Sequence, residues 1–96
     1  MTNTSSEKHW NAFLELCLKA HSTKELSQLF ELFFTIEEKE TLASRFIIIK
    51  SLLEEKLTQR DISDLYKVSI AQITRGSNAL KRTDTKLKNL LKTRIT

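Results

Sequence analysis

The chain has no proline, one glycine (Gly76) and one cysteine (Cys17) in 96 residues. Without proline and nearly without glycine there are few sharp turns, which favours helices joined by short connections. A lone cysteine permits no internal disulfide and fits a reducing compartment. No apolar run approaches the roughly 18 residues of a membrane span, so no membrane association is expected. The start, Met1-Thr2-Asn3-Thr4-Ser5-Ser6, lacks a charged segment followed by an apolar one. No signal peptide is therefore expected, and a cytoplasmic location is predicted. A Gly-rich phosphate loop, a nucleophile elbow and a carboxylate pair are all missing, so enzyme activity is not expected.

What is present is an ordinary apolar share, 40%, which suits a folded chain of one small domain over residues 1–96. The net charge is +4, unevenly divided. Residues 1–55 carry six Lys/Arg against nine Asp/Glu, whereas residues 56–96 carry ten against three, a local balance of +7. A basic half of this kind suits phosphate backbones, which release counterions on contact with Lys and Arg. On charge alone, a solvated lysine-rich surface explains it equally well.

The first residues are polar and expected to be loose. Trp10, Phe13, Leu14, Cys17 and Leu18 then recur at helical spacing, with Leu16 widening the stripe. A break at His21-Ser22-Thr23 precedes a second apolar group from Leu26 to Phe34. Thr35 with Glu38 reads as a capping box opening a helix that runs to about Glu55. There Leu42, Phe46, Ile49 and Leu53 form one stripe, while Ile47, Ile48 and Leu52 extend apolar surface beyond it. A helix apolar over so much of its circumference needs cover on several sides, which a second copy of the chain would supply. Thr58 with Asp61 and Ser69 with Gln72 repeat the capping pattern, and a last helix starts near Thr83-Asp84. The predicted fold is all-α, with six helices and no strand.

Residues 58–80 match a helix-turn-helix: a first helix near 59–65 with Ile62 and Leu65 inward, a turn at Tyr66-Lys67-Val68, and a second helix opening at Ser69 that buries Ile73 and Leu80. In such a motif Ser69, Ile70, Ala71, Gln72 and Thr74 face base edges; glutamine is suited to adenine and small apolar groups to thymine methyls. Arg60, Lys81 and Arg82 contact phosphates, which set register without reading sequence. Lys67 stands where glycine is usual, and the small Ser63 where alanine is commoner.

The string Gln72-Ile73-Thr74-Arg75-Gly76-Ser77-Asn78, with Thr58-Gln59-Arg60 before it, resembles the signature of the tryptophan repressor family. Leu32-Phe33-Phe34-Thr35 and Ala43-Ser44-Arg45 align at the family's spacing, so the resemblance covers roughly residues 7–92. It implies an intertwined homodimer that binds a palindromic double-stranded operator and uses L-tryptophan as corepressor. It further implies that Arg45 and Arg75 sandwich the indole, chemistry that suits flat guanidinium groups. By the same resemblance the Leu32 and Phe34 carbonyls receive the ligand's ammonium, Thr35 touches its carboxylate, and Gly76 leaves room for the ring. Ala79 stands where the family pattern has a serine that assists with the ammonium. Losing such a bond costs about 1.5–3 kcal/mol. Ser63 replaces a family lysine, and Tyr66 to Ser69 alter a glycine-rich turn. No other cofactor is implied.

Two further readings stay open on the residues: a helix-turn-helix regulator without a ligand, and a helical protein-interaction module whose stripes around Trp10 and Ile47–Ile49 dock partner helices. Cys17, His21 and His9 lie at helical spacing, but structural zinc wants four ligands, so no metal site is expected.

Overall fold

The computed structural model describes residues 5–95; the polar start at residues 1–4 lies outside them. It contains six helices and no strand among the described residues: α1 (Ser5–Leu18), α2 (Thr23–Phe33), α3 (Ile36–Glu54), α4 (Gln59–Tyr66), α5 (Ile70–Arg82) and α6 (Thr85–Ile95). None of these helices is long and apolar enough to cross a membrane.

Short polar residues set the helix starts. The Ser22 side chain accepts from the Glu25 N–H at 3.1 Å at the head of α2. Thr35 and Glu38 form a reciprocal box at the head of α3, with bonds of 2.9 and 3.1 Å. Thr58 and Asp61 do the same for α4, and the Asp84 carboxylate accepts from the Leu87 N–H at 2.8 Å at the start of α6. Each cap satisfies amides that have no partner inside the helix. Two helices stop on left-handed residues that are not glycine: Glu55 (φ 56°) after α3 and Lys67 (φ 57°) after α4.

The chain divides into two compact units, Met1–Lys39 and Glu40–Thr96. In the first, α1 and α2 meet through aromatic rings. Phe13 packs edge-on to Phe33 (5.3 Å between centroids) and Phe34 (6.1 Å), and Phe30 meets Phe34 at 5.2 Å. No residue of α1 or α2 is fully buried, and Trp10 remains 56% exposed. Cys17 is a half-buried free thiol, and no cluster able to hold a metal occurs among the described residues.

The second unit has a small closed core. Ile48 of α3, Ile62 of α4, Val68 of the turn and Ile73 of α5 pack together, with Leu52 against them. Gly76 allows α5 to approach α3 closely: a Cβ there would lie 2.8 Å from Ile48 Cγ2. Ser51 is also buried in α3, and its hydroxyl makes no hydrogen bond. The expected breadth of apolar surface on α3 is real. Ile48 faces the core, whereas Leu42 and Phe46 stay more than half exposed.

Candidate nucleic-acid interface

The α4–turn–α5 hairpin is built by local rules. The Thr58–Asp61 box starts α4, and the helix includes Tyr66, so the turn comprises Lys67, Val68 and Ser69, one residue later than expected. Lys67 takes the left-handed conformation (φ 57°, ψ 43°) that reverses the chain. Val68 inserts its side chain into the core beside Ile62 and Ile73. Ser63 ties the turn from below, its hydroxyl donating to the Val68 carbonyl at 2.6 Å. Ser69 then caps α5: its Oγ accepts from the Gln72 N–H at 3.1 Å, and Gln72 Oε1 accepts from the Ser69 N–H at 2.9 Å.

Two expectations about this hairpin need correction. Leu65 does not face inward; it is 61% exposed, because Ile62 and Val68 fill the space between α4 and α5. Leu80 is only half-buried, near the open end of α5.

Ser69, Ile70, Ala71 and Thr74 are exposed at the start of α5, and Gln72 is half-buried among them. A polar-to-apolar mixture of short side chains on an accessible first turn fits the geometry of a helix entering a major groove. Arg60 on α4 and Lys81 and Arg82 in the last turn of α5 are exposed cations at either end of the hairpin. Lys81, with Lys88 and Lys92 of α6, lines a depression of about 330 Å³ together with Leu52, Leu53, Leu80 and the carboxylate of Glu55. Three lysines against one carboxylate leave a positive balance beside α5.

The remaining candidate residues fall in two groups. Leu32 and Phe34 occupy the last turn and C-cap of α2, where helix carbonyls lack intrahelical donors, and Thr35 follows them as an exposed cap of α3. These three belong to the first unit. Arg45, Arg75, Gly76 and Ala79 belong to the second. Arg45 lies one turn before Ile48 and Ile49, the residues nearest Gly76, and Arg75 adjoins Gly76 in sequence. Both arginines are exposed. Ala79 is half-buried, and its carbonyl accepts from the Thr83 hydroxyl at 2.8 Å.

Residue pattern alone missed two features. The Ser63 tie spans five residues across a turn, and a sequence gives no periodic sign of it. The packing role of Gly76 depends on how close α5 comes to α3, which only the fold reveals.

Comparison with known proteins bears on the whole arrangement. The family profile described as Trp repressor protein matches residues 8–95. A Trp operon repressor homolog of Chlamydia caviae is 53% identical over 92 residues, covering 96% of this chain and 91% of that protein. One from Chlamydia trachomatis serovar L2 is 53% identical over 89 residues, covering 93% and 95% respectively. A more distant one, from Vibrio campbellii, is 39% identical over 95 residues, covering 95% of each chain.

Proposed function

Since this chain belongs to the Trp repressor family, we propose that it is a transcriptional repressor that binds its operator as a homodimer when L-tryptophan is bound. The observation that carries this reading is the layout of α5. Its N-cap and opening residues, Ser69 to Thr74, hold the candidate base-reading residues, and the stretch directly after them holds Arg75, Gly76 and Ala79, the candidate ligand residues. A rigid helix transmits to its N-terminal end whatever orientation the ligand imposes on its middle.

The ligand site combines Arg45 and Arg75 as planar cations for the indole faces, with Arg75 also pairing with the carboxylate. The pocket combines residues from both chains of the dimer, so ligand binding and dimerisation are tied together. The Leu32 and Phe34 carbonyls take the ammonium, and Thr35 assists the carboxylate. Thr35 keeps its hydroxyl proton for this purpose, since in its capping box the oxygen acts as acceptor. Ala79 supplies no side-chain acceptor, so the ammonium rests on main-chain oxygen.

The homodimer covers the apolar surface that one copy leaves open: Phe46 and Leu42 on α3, Trp10 and Phe33 on α1 and α2, and Leu87 and Leu90 on α6. So much exposed large apolar surface on a single chain of this size marks an interface. Both compact units act in it as parts of one domain spanning residues 1–96. Each copy presents one reading helix, and, as in helix-turn-helix dimers generally, Trp repressors included, the two must enter major grooves about 34 Å apart. Tryptophan binds the arrangement with that separation more tightly than others and so shifts the population toward it. Arg60, Ser69, Ile70, Ala71, Gln72, Thr74 and Lys81 make the DNA contacts.

Calorimetric titration with L-tryptophan tests the ligand half of this reading. One ligand per chain is expected, with binding lost in Arg75→Ala. No heat at any accessible concentration would leave a ligand-independent regulator instead.

A further inference from the structure

The carboxamide of Gln72 is already committed on one side. Its Oε1 accepts two hydrogen bonds, from the Ser69 N–H at 2.9 Å and from the Ser69 hydroxyl at 3.2 Å. An amide oxygen has two lone pairs, so its accepting capacity is full. The Ser69 N–H also fixes which way round the amide lies, because only the oxygen is able to accept from it. The Nε2 amino group is therefore the uncommitted end of a half-buried side chain, on a helix start where Ala71 and Thr74 are exposed and Ile73 is buried.

Glutamine usually reads adenine bidentately, accepting from N6–H₂ while donating to N7. That pairing needs the oxygen and the amino group together. Here the oxygen closes the capping box, and releasing it would leave the Ser69 N–H without its partner at the point where the turn enters α5.

We propose that Gln72 is a donor-only specificity residue: its amino group selects a base with a major-groove acceptor and discriminates against cytosine. This rests on the DNA-binding reading above. Guanine offers O6 and N7, thymine O4 and adenine N7, whereas cytosine presents only the N4 amino group, a donor facing a donor. The residue thus sorts bases by acceptor against donor and has no means of singling out adenine.

Selection from a randomised duplex pool in the presence of L-tryptophan tests this, with wild type and Gln72→Glu run side by side. Glutamate keeps an oxygen for the capping box and replaces the donor by a second acceptor, which pairs with cytosine N4. Wild type is expected to deplete cytosine at one position of each half-site by about five- to 150-fold. The Gln72→Glu protein is expected to enrich cytosine at that position and leave the others unchanged. A wild-type consensus strict for adenine over guanine and thymine, or an unchanged consensus in Gln72→Glu, overturns the proposal. If Gln72→Glu does not fold, Gln72→Met decides. Recovery of cytosine to parity supports the donor role, and continued rejection of cytosine contradicts it. Failure of the wild type to select any sequence is a separate result, which removes the DNA-binding reading itself.

Discussion

The Ser63 hydroxyl donates to the Val68 carbonyl at 2.6 Å, joining the middle of α4 to the residue that precedes the cap of α5. Val68 is also a core residue, so the turn is held from both ends of one amino acid: its side chain by Ile62 and Ile73, its carbonyl by Ser63. The direction in which α5 leaves the turn follows from these two constraints.

Replacing Ser63 by alanine removes the donor and leaves the part-buried Val68 carbonyl without it. The expected loss is about 1–2 kcal/mol of stability, and for a domain of this size roughly 4–8 °C in Tm per kcal/mol. Ser63→Thr keeps the hydroxyl and should retain most of it. Thermal unfolding of the three proteins is the check; equal midpoints for wild type and Ser63→Ala contradict this role.

Lys67 holds a left-handed backbone with a side chain attached. Glycine adopts that conformation freely, while other residues pay for the close approach of Cβ to the carbonyl. Lys67→Gly should therefore stabilise the protein by about 0.5–1 kcal/mol after the greater freedom of the unfolded glycine is subtracted. Urea denaturation should show a higher midpoint with an unchanged slope.

Gly76→Ala places a methyl group 2.8 Å from Ile48 Cγ2, the branch of a fully buried side chain that cannot swing aside. The expected cost is about 1–3 kcal/mol. Ile48→Ala alone should cost about 2–5 kcal/mol by opening a cavity. In the double variant the new methyl enters the space vacated, so the two losses should add to less than their sum. Strict additivity in that double-mutant cycle would mean that Gly76 and Ile48 do not compete for one volume.

Charge on the hairpin sets the salt dependence of DNA binding. Lys81 is exposed in the last turn of α5, and Lys81→Ala should weaken binding to all sequences alike. The slope of log K against log salt should fall by about one. A change of base preference with an unaltered slope would remove Lys81 from the phosphate contacts.

The helix starts were legible because capping is local. Thr35 with Glu38, Thr58 with Asp61 and Ser69 with Gln72 each announce themselves at a spacing of three residues, and each forms the expected bonds. The core of the second unit was mostly legible from Ile62, Val68 and Ile73. Leu65 misled because an apolar residue next to a turn has the same periodicity whether or not a neighbour covers it. Ser51 is illegible for the opposite reason: a hydroxyl carries no apolar signal, yet it is buried at 2% exposure within α3. The second acceptor contact of Gln72 depends on where the Ser69 hydroxyl turns, which residue spacing does not specify.

Operator affinity measured with and without saturating L-tryptophan tests the central claim most directly, on a duplex chosen from the selected pool. Binding should tighten markedly with L-tryptophan, whereas L-alanine, which offers the same ammonium and carboxylate without an indole, should change nothing. Equal affinity in the presence and absence of L-tryptophan would contradict the account.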